Sequence, residues 1–296
     1  MEKTNNKSAV DKTANGWING FIGVLIFSGS LPATRLAVAD FNAQFLTVAR
    51  AAIAGLLAFF ILLVFKEKRP TKKQIIPLGI VSLGVVIGFP LLSALALQYI
   101  TAAHSIVFVG ILPLSTAIFG IVRGGERPSG IFWLFSIIGS LLVICYAYSQ
   151  GLTASPAGDI LMLFAIILCG LGYAEGAKLS KNLGGWQVIS WALVLSLPLM
   201  LFLTFFLLPT SFDGIKTTSW ISLAYVSLFS MFIGFIFWYK GLAQGGIAAV
   251  GQLQLLQPLF GLALASFLLH EKVSTDMLII TVAVILCVAG TKKFSK

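Results

Sequence analysis

Charge is what this sequence has least of. Only 10% of its 296 residues are Asp, Glu, Lys or Arg, where a soluble globular domain carries roughly a quarter. With 58% hydrophobic residues and a mean hydropathy of +0.99, the chain is not a soluble enzyme. Cysteine is also scarce: Cys145, Cys169 and Cys287 all fall inside apolar runs. An odd count in such positions supports neither a disulfide framework nor a metal site, so the three read as small packing residues. No Gly-x-x-x-x-Gly-Lys-Ser/Thr is present, which excludes ATP hydrolysis by a phosphate-binding loop. His-Glu-x-x-His, a Cys/His cluster and Gly-x-Ser-x-Gly are missing as well, so neither a metal, a cofactor nor a hydrolase nucleophile is expected. Acidic residues number ten against twenty basic ones, giving a formal charge of +10. In a soluble protein that surplus would suggest nucleic acid as a partner. Here the basic residues occupy short gaps between apolar runs and form no stripe, so no nucleic-acid partner is expected and the charge reports orientation in a bilayer.

What the chain does have is long apolar runs. A helix crosses the hydrocarbon core with about 20 mostly apolar residues, because every backbone polar group must be satisfied within the segment. Polar and Gly/Pro breaks divide the chain into candidate spans 17–36, 41–65, 74–98, 102–122, 129–148, 158–178, 186–208, 218–239, 247–269 and 275–290. The expected fold is therefore an all-α membrane protein of about ten transmembrane helices. No connection is long enough for a soluble catalytic domain, so function falls to residues within or just outside the bilayer. With the N-terminus in the cytoplasm, sixteen basic residues lie inside, and Arg35, Lys216 and Lys272 lie outside, while Arg50 sits within a span. That bias puts both termini inside a bacterial-type inner membrane. Lys3, Lys7 and Lys12 ahead of an apolar run, with Ala37-Val38-Ala39 beyond it, also resemble a signal peptide. The run is long for that and Arg35 intrudes, which favours a retained helix.

The chain repeats itself. A shift of 145 places Pro113 on Pro258, Glu126 on Glu271 and Ser129 on Ser274, and a shift of 143 places Gly29 on Gly172. The division is then a cytoplasmic tail 1–16, a first five-helix repeat 17–148, a second 157–290 and a cytoplasmic tail 291–296. An odd number of spans per repeat forces the second to be inverted in the membrane. Two inverted units can exchange conformations, which is the physical core of alternating access around a midplane site.

Residues 96–103 (Ala-Leu-Gln-Tyr-Ile-Thr-Ala-Ala), Pro113 and Gly125-Glu126-Arg127-Pro128-Ser129 recur in kind as Phe237-Trp238-Tyr239-Lys240-Gly241-Leu242, Gln257-Pro258 and His270-Glu271-Lys272-Val273-Ser274. In order, spacing and duplication this resembles the EamA family of the drug/metabolite transporter superfamily, over about residues 17–290. The resemblance implies ten helices in two inverted halves, a cavity lined mainly by the first, third and fourth helix of each half, and the fifth helices at the periphery. It also implies export of amino acids and other small metabolites, with amphiphilic cations handled by some members. A scaffold is shared more than a substrate-reading motif.

Charged groups within spans are functional candidates because they cost several kcal/mol there. Glu175 is the one acid well inside a span, a proton or cation site or else an ion pair with Lys178 one turn on. His104 is a second titrating candidate, with a satisfied interfacial histidine as its plainer reading. Arg35 and Arg50 have the fork that holds a carboxylate, unless they snorkel to the interface. Gln252, Gln254 and Gln257 put three amides in one apolar helix; Gln254 and Gln257 are expected on one face, binding substrate or pinning helices together. Tyr99 and Trp238, with Tyr173, Trp191 and Tyr239, are candidate pocket walls or interfacial belt residues. Pro32, Pro113 and Pro258 are candidate hinges, or packing accommodations. Gly84-x-x-x-Gly88 and Gly172-x-x-x-Gly176 read as close-packing positions.

The expected function is a secondary-active or facilitative carrier that exports a small metabolite, an amino acid or derivative, with the bilayer and the substrate as its partners. A single chain would suffice. The alternatives are a membrane-embedded enzyme on lipid-linked substrates, which would need clustered interfacial charge, and a nucleotide-sugar carrier, which would need a deep basic pocket.

Overall fold

The computed structural model describes residues 2–100, 105, 108–149, 155–269 and 275–295, and every regular element among them is helical. Six helical stretches are long and apolar enough to cross a membrane: Lys12–Ala37, Ala43–Val64, Lys72–Ala96, Pro156–Leu183, Gly185–Phe206 and Thr217–Gly245. Two shorter apolar helices, Leu112–Gly124 and Gly130–Tyr146, accompany them. The surface is inside out by soluble standards. Phe60, Phe205 and Phe206 stand exposed while Ser, Thr and Gln side chains are buried, the distribution expected where hydrocarbon replaces water.

The first stretch is two helices, α1 (Glu2–Ser28) and α2 (Ser30–Ala37). The expected N-terminal tail is thus helical from Glu2 onward, since no Gly or Pro precedes Gly16 to stop it. The interruption at Gly29 has two local causes. The Tyr225 hydroxyl donates to the Ile26 carbonyl at 2.7 Å, and Pro32 has no N–H to offer the Ser28 carbonyl. A Cβ at residue 29 would stand 2.4 Å from that hydroxyl, so the crossing requires glycine. Helix α3 (Ala43–Val64) starts at Asn42, whose side chain accepts from Gln44 N.

The third and eighth expected spans each contain a widened segment. Helices α4 (Lys72–Val81) and α5 (Phe89–Ala96) are joined by a π-helical stretch, Ser82–Gly88. Helices α10 (Thr217–Tyr225) and α11 (Gly234–Gly245) are joined by another, Val226–Ile233. Between these pairs run α6 (Leu112–Gly124), α7 (Gly130–Ser149), α8 (Pro156–Leu183) and α9 (Gly185–Phe206). The ninth expected span is α12 (Ile247–Gly251), a 3₁₀ segment (Gln252–Leu256) and α13 (Gln257–Leu269), and α14 (Thr275–Lys293) closes the chain. Pro113 and Pro258 both occupy the first turn of a helix that follows a local break.

Packing is symmetric under exchange of the halves. α1 lies on α11 as α8 lies on α4 and α5; α6 meets α8 as α13 meets α1; α3 pairs with α9 and α7 with α14. A pseudo-twofold axis produces that pattern. Glycine sets both of the first two contacts. A Cβ on Gly241 would come within 2.5 Å of Gly20 N, and one on Gly84 within 2.9 Å of Gly172 Cα. Backbones meet there because no side chain intervenes.

Candidate functional site

Where the halves meet, a cavity of about 50 Å³ opens, room for a few water molecules. Ser30 and Thr34 reach it from α2, Thr47 and Arg50 from α3, Ser93 from α5, Tyr173 from α8, Ser230 from the second π segment and Gln257 from α13. Phe27, Phe89 and Phe235 supply apolar walls. Contributions from α2, the first turns of α3 and the last turns of α5 place the cavity toward the end opposite the chain termini.

Arg50 is the one charged residue among those lining this cavity. Its Nη2 donates to Ser230 Oγ at 3.4 Å, and Ser230 also accepts from Ser30 Oγ at 2.7 Å. Its Nε is buried with no hydrogen-bond partner. Among the described residues no carboxylate lies within ion-pair distance of it. A buried guanidinium with a free donor is an expensive arrangement, and Arg50 brings that charge to the cavity wall. Gln257 also lines the cavity, its Nε2 donating to the Phe27 carbonyl at 3.5 Å. The π segments matter here: Val85 and Ser230, from the first and second, both face the cavity. Widened turns of this kind re-aim side chains at functional sites.

Polar links join the halves at both ends of the bundle. At the end carrying the termini, Arg123 Nε donates to Glu175 Oε2 at 2.7 Å. The Glu126 carboxylate accepts from Ile247 N at 2.6 Å and Ala248 N at 2.7 Å, occupying the otherwise unpaired donors at the start of α12. Gly125 and Gly246, at φ +70° and +96°, make the turns that bring these groups together. At the opposite end Asp40 does the same for α10, accepting from Lys216 N at 3.0 Å and Ser219 Oγ at 2.7 Å. The Ser219 hydroxyl, then the Lys216 N–H, hold its carboxyl below the ordinary 3.8.

The structure brings few of the expected site residues together. Arg50 and Gln257 line the cavity. Arg35 is exposed on the outward face of α2, because Thr34 takes the inward position of that turn. Tyr99 is 54% exposed beyond the end of α5. Trp238 is fully buried behind Phe27 and Tyr173, its Nε1 without a partner. Gln252 accepts from Ser136 Oγ and donates to the Pro113 carbonyl, and Gln254 donates to Thr116 Oγ1 and the Gly251 carbonyl. These two pin helices. Gln254 is engaged by Thr116, whereas Gln257 lines the cavity. Glu175 is buried and paired with Arg123, whereas Lys178 is exposed. His104 lies outside the described residues.

Sequence reasoning passed over Ser30, Thr47, Ser93 and Ser230, which carry no pattern in an apolar chain. Glu126 did carry a signal, its recurrence at the repeat shift, but the partner it caps is visible only in three dimensions.

The model of the EamA-like transporter family matches residues 14–148 and again 156–291. The chain belongs to this family. A Bacillus subtilis relative, "Uncharacterized transporter YdeK", is 66% identical over 97% of this chain and 100% of its own. A second from that organism, "Uncharacterized transporter YyaM", is 24% identical over 76% of this chain and 77% of its own. An Archaeoglobus fulgidus "Uncharacterized transporter" is 23% identical over 84% and 87%. A solved structure named only as "Crystal structure of protein" superposes with a TM-score of 0.78 at 16% identity, covering 93% of this chain and 97% of that one, which shows the shared fold. Membership makes this EamA-like chain a multi-pass membrane transporter of small molecules rather than an enzyme.

Proposed function

We propose that the protein exports a small metabolite, an amino acid or an amino-acid derivative, by alternating access across a bacterial-type inner membrane with both termini in the cytoplasm. One observation supports this above others: the cavity between the halves presents a single unpaired guanidinium among hydroxyls and aromatic walls. Arg50 would hold the carboxylate through its planar fork, and Gln257 would receive the remaining polar groups. The cavity is contracted compared with the few hundred Å³ of an occupied small-molecule site, so cargo enters as side chains withdraw. The link of Arg123 to Glu175 and the Glu126 cap hold the cytoplasmic side shut in this conformation. Pro32, Pro113 and Pro258, each beside a break in its helix, are the proposed hinges. Glu175 and His104 are the proposed groups for any proton coupling. A nucleotide-sugar cargo is disfavoured, since two phosphates would face only one cationic residue.

Counterflow into proteoliposomes preloaded with amino acids and their derivatives tests this. Saturable exchange of one class that is lost in Arg50→Gln is the expected result. An equal rate in the variant would remove the cavity from the pathway.

A further inference from the structure

The charge balance of the cavity narrows the cargo further, on the basis of the transport reading above. Among the residues lining it, Arg50 is a full positive charge and none is an acid. Its Nε lacks a partner, and among the described residues no carboxylate approaches its guanidinium within ion-pair distance. A zwitterionic amino acid would satisfy the guanidinium with its carboxylate but would bring in an ammonium as well. That second cation would have no counter-charge and would sit within a few ångströms of the first. The hydroxyls of Thr47 and Ser93 donate to their own helix carbonyls, and an ammonium would find only neutral acceptors, the Gln257 amide oxygen among them, and nothing ionised. An anion, in contrast, brings the cavity to neutrality.

We infer that the cargo is a net monoanion: a carboxylate on a largely apolar body, with its amino group absent or masked. Phe27, Phe89 and Phe235 suit the body. Neutrality has a consequence for mechanism. The loaded cavity carries no net charge, while the empty one carries the charge of Arg50. Returning empty therefore costs more than returning loaded, which favours exchange of one anion for another over net release.

The test uses matched triplets on one body: the N-acetyl amino acid as anion, the free amino acid as zwitterion and the amino-acid amide as cation, for alanine, leucine and phenylalanine. Full-length protein is assayed by counterflow in proteoliposomes and by thermal stabilisation in detergent. The expected result is exchange and stabilisation by the N-acetyl acids, weaker effects from the free amino acids and none from the amides. Arg50→Gln should weaken the anion by roughly tenfold or more, and Arg50→Lys should restore the preference for anions at reduced affinity. A free amino acid or an amide that outperforms the N-acetyl form on every body would overturn the inference and leave the transport reading intact. Absence of exchange by all nine compounds, in protein that unfolds cooperatively, would overturn both.

Discussion

Arg50 and Glu175 are both charged groups buried in an apolar bundle, and they differ in one respect that decides their roles. Glu175 has a charged partner, whereas Arg50 has only the Ser230 hydroxyl. Removing one member of a buried pair strands the other, whereas removing an unpaired charge strands nothing. Arg50→Gln should accordingly leave the thermal midpoint in detergent unchanged or raise it while abolishing transport; a large drop would mean that the guanidinium has a structural partner after all. Glu175→Gln should destabilise, but modestly. The Arg123 side chain is 39% exposed and can rehydrate, so about 1 kcal/mol is expected from denaturation in mixed micelles. Asp40 carries the pH prediction. Its carboxyl is held below its ordinary value by Ser219 and Lys216, so its contribution is complete above about pH 4 and fades only as acid overtakes the lowered value. Stability measured between pH 5 and 8 should show no transition that Asp40→Asn removes; one within that range would contradict the assignment.

At the scale of elements, the sequence spoke clearly about where helices run and poorly about where they deviate. Apolar length marks α3, α8 and α9 because lipid leaves the backbone no other solution. The break at Gly29 was half legible, in Pro32 and the Ser28-Gly29-Ser30 run, but its other half is a tyrosine almost two hundred residues away. The second π segment has no proline to announce it. Gln252 and Gln254 show the limit in the candidate site: three amides in one helix are plain to read, but two of them are taken by Ser136, Pro113 and Thr116, more than a hundred residues away. Two predictions belong here. Gly241→Leu would drive a side chain into Gly20 of α1 and prevent that pair from closing, so the expected outcome is loss of monodisperse protein in gel filtration. Glu126→Ala leaves the first donors of α12 uncapped, a loss of about 1 kcal/mol. Because that cap spans the halves, the variant should also gain reactivity of Cys169, the one cysteine among the cavity-lining residues, from the side of the termini.

For the molecule as a whole, the repeat was legible because prolines and the Glu-x-x-Ser pairs recur at one shift, and the exchange-symmetric packing is its three-dimensional counterpart. The cavity lies toward the end opposite the termini, where Asp40 also joins the halves, and Arg123, Glu175 and Glu126 join them at the other end. Under alternating access the links of Arg123 and Glu126 must break for the cavity to face the cytoplasm. The most direct measurement places a single cysteine at Ser93, in a chain whose Cys145, Cys169 and Cys287 are serine, and labels it with an impermeant thiol reagent applied to either side of sealed vesicles. The account predicts labelling from the extracytoplasmic side in the otherwise unaltered chain, labelling from the cytoplasmic side once Glu126→Ala is added, and protection from both by cargo. Reactivity from one side alone under every condition would contradict it.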